Sequence, residues 1–99
     1  MLSNEYLLKK CKAMLNMSDT TLYDERLTIV VGGAVNKMTN EGISNIYDED
    51  SNEAYDYILC VTYLAALDLD LITDYNRLYT QYITRAVTLR ERQLHDKQS

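Results

Sequence analysis

The sequence predicts an all-α fold, a compact bundle of about four helices with a long C-terminal helix. Two observations predict it. Proline is absent and glycine occurs only three times in 99 residues, and these are the residues that break or weaken helix interiors. Apolar residues recur at steps of three and four in four separate segments, with cap-rich stretches between them. Hydrophobic residues make up 46% of the chain, enough for one modest core, and the length suits a single domain over residues 1–99. All the aromatic residues are tyrosine. Their polar tips suit half-buried positions and interfaces, so the core is expected to rest on Leu, Ile, Val, Ala and Met.

The first helix is predicted over residues 3–15, capped by Ser3 or Asn4, with Leu7, Leu8, Cys11, Met14 and Leu15 on one stripe. Residues 16–21 form a loop in which Asp19, Thr20 and Thr21 can accept hydrogen bonds from the next helix. Asp24 and Glu25 fall in or near its first turn, where the helix dipole favours negative charge. Leu27, Val30, Val31, Ala34, Val35 and Met38 then keep the helical period. Within this segment lies "TIVVGGAVNK", which looks like a strand feeding a phosphate loop. The glycines are followed by Ala34-Val35-Asn36-Lys37, which fits neither GxGxxG nor GxxxxGK[ST]. The alternation of a strand fails at Ile29-Val30-Val31. Gly32 and Gly33 are therefore expected inside a helix, at about 1 kcal/mol each relative to alanine, with close approach of another backbone as the reason they are tolerated. Gly42 is the expected left-handed cap.

Residues 45–52 are an acidic loop, and Asp50 with Glu53 has the spacing of a capping box. A third helix is predicted from about Ser51 to Leu67. Ala54, Tyr57, Ile58, Val61, Leu64, Ala65 and Leu67 give it the broadest apolar face, so it belongs at the centre of the core. Residues 68–72 either turn or continue it. Thr73 is the expected cap of a final helix over roughly 73–94, carrying Leu78, Tyr79, Tyr82, Ile83, Ala86, Leu89 and Arg90, and residues 95–99 should fray. Residues 86–94 are expected to overhang the shorter helices and to offer leucine and arginine to a partner.

Little in the chain points to chemistry. Asp48, Asp50 and Asn52 match the first three ligands of a calcium loop, but Glu53 and Leu59 occupy the positions of the turn glycine and the bidentate carboxylate. His95 is the only histidine, so neither a nucleophile dyad nor a zinc site is expected. No cofactor, metal or catalytic residue is expected, and the chain is read as no enzyme. Cys11 and Cys60 lie in no CxxC pair and are expected as reduced thiols in or near the core. No apolar run approaches the ~20 residues of a membrane span, and "MLSNEYLLKK" lacks the apolar region of a secretory leader. The net charge of −5 argues against non-specific affinity for nucleic acid. That charge is unevenly spread. No basic residue lies between Lys37 and Arg77, whereas Arg77, Arg85, Arg90, Arg92 and Lys97 crowd the end. Such a bipolar chain suits head-to-tail assembly.

The succession "YLLKKCKAMLNMSD", "DERLTIVVGGAVNKMTNEGI", an acidic loop and "EAYDYILCVTYLAAL" resembles the small head–tail connector (adaptor, or head-completion) proteins of tailed bacteriophages. The similarity covers roughly residues 6–67. Leu15-Asn16-Met17 stands at the stop of the first helix, Leu27, Val30, Val31 and Ala34 carry the pattern of the second, and Gly42 is its terminal glycine. The resemblance implies a structural virion protein, made in the bacterial cytoplasm and placed at the head–tail junction. There it forms a ring, commonly of twelve copies, beneath the portal, although isolated subunits can be monomeric. Its partners are then the portal protein, a downstream connector, stopper or tail protein, and further copies of itself. Arg85, Leu89, Arg90, Arg92 and Leu94 become the portal-docking residues. Asp48, Glu49 and Asp50 become an acidic channel lining past which DNA slides without specific binding. A second reading is a small helical regulatory module, antitoxin-like or anti-activator, that masks a protein partner through its last helix.

Overall fold

A computed structural model describes residues 1–69 and 74–98, with side chains to Asp96. Among the described residues there are four α-helices and no strand: α1 (Asn4–Met14), α2 (Asp24–Asn40), α3 (Ala54–Asp68) and α4 (Tyr75–Gln98). The all-α prediction holds, and α4 is the longest.

Local chemistry sets most of the helix ends. Ser3 caps α1, its hydroxyl accepting the Tyr6 N–H at 3.1 Å. At the other end Asn16 takes the left-handed conformation (φ 60), and the Met17 N–H reaches back to the Lys12 carbonyl at 2.8 Å. The start of α2 corrects the expectation. Thr20 closes its own turn by accepting the Leu22 N–H, no side chain caps the helix, and the helix begins only at Asp24. Asp24 and Glu25 do occupy its first turn, and Asp24 meets Lys12 of α1 at 2.7 Å. Gly42 ends α2 as predicted, with φ 89. The Ile43 N–H bonds the Met38 carbonyl at 2.9 Å, and the side chains of both residues are buried, a pairing typical of this cap.

Gly32 and Gly33 lie inside α2, so the phosphate-loop alternative is excluded by geometry. The reason anticipated for them is not found. A Cβ at either glycine would meet nothing within 4 Å, so no neighbouring backbone among the described residues requires them.

The cap of α3 is a second correction. Ser51, not Asp50, holds the turn: its hydroxyl accepts the Ala54 N–H at 3.2 Å and donates to the Asp48 carbonyl at 2.8 Å. Asp50 sits at φ 63 and exchanges two hydrogen bonds with the Tyr6 hydroxyl. The expectation of a central third helix holds. α3 packs against α1, α2 and α4 and buries nine of its 15 residues, so an amphipathic stripe widens into a nearly enclosed helix. Cys11 and Cys60 are free and buried. Burial pushes the Cys11 thiol up to about 11 and the Cys60 thiol up to about 12, so both are inert core groups. The core is not purely aliphatic, however. Tyr57 and Tyr82 are among its largest fully buried side chains.

At the start of α4, Asp74 acts as the cap, its carboxylate accepting the Arg77 N–H at 3.2 Å. Thr73, the predicted cap, lies outside the described residues, as do residues 70–72, where the choice between turn and continuation fell. The helix runs on to Gln98. Leu78, Tyr82, Ala86, Leu89 and Gln93 form its buried row, each three or four residues after the last, which lays α4 along α3.

Candidate functional site

Three sides of α4 differ in chemistry. The buried row ends in Gln93, 4% exposed, which clamps the segment after α2. Its amide nitrogen donates to the Ser44 carbonyl at 2.9 Å and to the Tyr47 hydroxyl at 2.8 Å. Its amide oxygen accepts the Ser44 N–H at 2.8 Å. The same segment holds the N-terminus, because Asn45 exchanges two hydrogen bonds with the backbone of Leu2, each 2.9 Å. Residues 86–94 are therefore fastened to the domain and do not overhang it.

This placement divides the predicted docking residues. Leu89 is 1% exposed and belongs to the core; it cannot reach a partner without opening the fold. Arg85 and Arg92 sit on one flank and share Asp56, at 3.0 and 3.5 Å. Arg90 and Leu94 lie on the opposite flank. Arg90 runs along Gly42, where an added Cβ would stand 3.4 Å from its Cδ. Leu94 is half exposed. The acidic trio is divided too. Asp48, Glu49 and Asp50 are all exposed, but Asp50 is tied to Tyr6 and lies 3.9 Å from Lys10, leaving Asp48 and Glu49 as the available pair.

On the flank that carries Arg90, the structure adds exposed residues beyond the five docking residues named from the sequence. Tyr75, Tyr79, Ile83 and Val87 follow at every fourth position and remain 57, 37, 41 and 37% exposed. The spacing was visible in the sequence, but it runs beside the buried row and only the course of α3 separates the two. The Tyr75 and Tyr79 rings stack with centroids 6.0 Å apart, and Tyr82 follows at 6.3 Å. Between this flank and the end of α2 lies a groove of 250 Å³. Tyr79, Ile83, Val87 and Arg90 form one wall, and Glu41 and Ile43 the other. Glu41 accepts the Tyr82 hydroxyl at 2.6 Å and the Lys37 ammonium at 2.9 Å. Partial burial opposes its ionisation, but the bonds from Tyr82 and Lys37 outweigh that and hold the carboxyl below its usual range. Burial, reinforced by Glu41, pushes the Tyr82 phenol well up.

A larger open cleft of 640 Å³ lies between α1 and the start of α3. Met14 and Ile58 line it with Tyr6, Lys10, Asp50 and Tyr55, and no nucleophile–base pair is assembled there. Among the described residues no group of three or more His, Cys, Asp or Glu side chains could hold a metal ion, and no helix is long and apolar enough to cross a membrane. No protein-family model matches the chain, and neither a curated protein nor a solved structure is matched by it. Tyrosine and arginine around an aliphatic centre are the composition of a protein-docking surface, and that is what the exposed flank of α4 can do chemically.

Proposed function

We propose that the chain is a structural assembly protein without catalysis, a head–tail connector of a tailed bacteriophage that binds the portal as a ring and extends the DNA channel toward the tail. The observation that carries the reading is the exposed apolar flank of α4. From Tyr75 to Leu94 it spans about 28 Å at 1.5 Å per residue, on a helix that buries one row in the core and ties Arg85 and Arg92 to Asp56. Such a length accommodates more than one partner, as a ring subunit beneath a portal requires. The quoted resemblance supplies the identity of the partners. In this reading Leu94, near the C-terminal end of α4, meets the portal. Asp48 and Glu49 face the channel and repel the phosphate backbone.

Co-sedimentation with portal rings of the same virus tests the proposal. The intact chain is expected to travel with the rings, and Leu94→Asp to stay behind while keeping its helical circular dichroism. An intact chain that leaves the portal unoccupied, or an L94D variant that binds as well, would overturn it. The regulatory-module reading predicts the first of these failures.

A further inference from the structure

Among the described residues two helix faces lack a cover, and they are complementary. α2 and α4 both pack on α3. On the outer side of α2 lie Glu25, Ile29 and Gly33, each four residues after the last. Ile29 is 69% exposed, and the space beside Gly32 and Gly33 is open to beyond 4 Å. Two glycines inside an exposed helix cost about 1 kcal/mol each, with nothing inside the subunit to compensate. The second face is the α4 flank, with Ile83, Val87 and Arg90 in a row of the same period.

Laid antiparallel, one register brings Ile83 over Gly33, Val87 against Ile29 and Arg90 beside Glu25. Bulk meets the notch, apolar meets apolar, and cation meets anion. The parallel alignment that keeps Val87 on Ile29 instead puts Ile83 on Glu25 and Arg90 over the notch. We propose that the α4 flank of one copy seats antiparallel on the outer face of α2 of a second copy. The missing side chains at residues 32 and 33 let the two axes approach toward the short end of the ~8–10 Å range of packed helices. Because the two faces differ, each pairing leaves one of each kind free. The contact is then heterologous and propagates into a ring or a filament. The inference deepens the self-association within the proposed assembly role and rests on that reading for its purpose.

Oxidative cross-linking of the full-length chain tests it. Ile29→Cys and Val87→Cys are combined in one chain. The native thiols are buried, so only the new pair responds to mild oxidation. The expected result is a ladder of disulfide-linked species beyond the dimer, collapsed by reductant. In that background Glu25→Arg and Arg90→Glu are each expected to lower the linked fraction about fivefold, the size of one rim ion pair, and together to restore it. Gly33→Leu is expected to suppress linking while circular dichroism stays helical. No linked species, or a dimer formed as readily by V87C alone, would overturn the proposal. The measurement uses the isolated chain, so its failure leaves the portal result standing, and the reverse.

Discussion

The two flanks of α4 carry similar cations and opposite fates. On one flank Arg85 and Arg92 converge on a single carboxylate, Asp56, at 3.0 and 3.5 Å. On the other, Arg90 lies among Tyr79, Ile83 and Val87, which remain more than a third exposed. One flank is tied within the subunit and the other stays exposed. Charge alone does not tell them apart, because the guanidinium groups are equivalent. What separates them is the position of α3, which supplies Asp56 to one side only. The lesson for reading docking helices is that an arginine-rich end must first be cleared of the arginines the fold itself uses.

The strongest way to break this comparison is through the row between the flanks. If Leu89 served a partner, truncating it would leave the isolated chain intact. The structure buries it at 1% exposure, so Leu89→Ala is expected to lower the unfolding free energy by about 2–5 kcal/mol, the range for a leucine removed from a packed core. Urea denaturation of the isolated chain measures it, and a loss below 1 kcal/mol would return Leu89 to the docking surface.

A smaller effect is expected at Gln93. Gln93→Leu keeps the volume and removes the clamp, leaving the Ser44 amide, the Ser44 carbonyl and the Tyr47 hydroxyl without their partner. Losing buried partners of this kind costs about 1–3 kcal/mol. Hydrogen exchange localises the change: the Ser44 amide should lose protection while amides in the middle of α3 keep theirs. Equal loss in both places would mean that Gln93 acts through packing and not through its bonds.

These residues also show where sequence reasoning succeeds. The four helices were legible because each carries an apolar stripe of the helical period, and Gly42 because a left-handed cap calls for glycine. Ser3 was legible as a cap for the same local reason. Gln93 was not, because a glutamine does not register in a hydrophobic pattern. Its signal was positional, four residues after Leu89 on the buried row. Asp50 has the spacing of a cap for α3, but it pairs instead with Tyr6, 44 positions away, and Ser51 holds the turn before the helix. Leu89, Ile83 and Val87 all read as apolar helix residues. Which of them face α3 is a tertiary fact, so the exposed flank was legible as composition and not as geometry.

The smallest expected effect sharpens the free flank itself. Glu41 forms one wall of the groove, held below its usual carboxylate range because the bonds from Tyr82 and Lys37 outweigh partial burial. A depressed folded-state pKa contributes stability that is fully present above the unfolded value of ~4.3 and is lost as pH falls through the folded one. The chain should therefore lose stability on acidification below about pH 5 in part through this group. Because the Glu41 side chain is 37% exposed, solvent screening keeps its share below about 1 kcal/mol. Glu41→Gln should lower the neutral plateau by that amount while leaving the acid end nearly unchanged, which flattens the acid limb of the stability curve. If the acid limb keeps its full slope, the Tyr82 bond lies outside the energetics of the groove, and the α4 flank is then held in place by α3 and Gln93 alone.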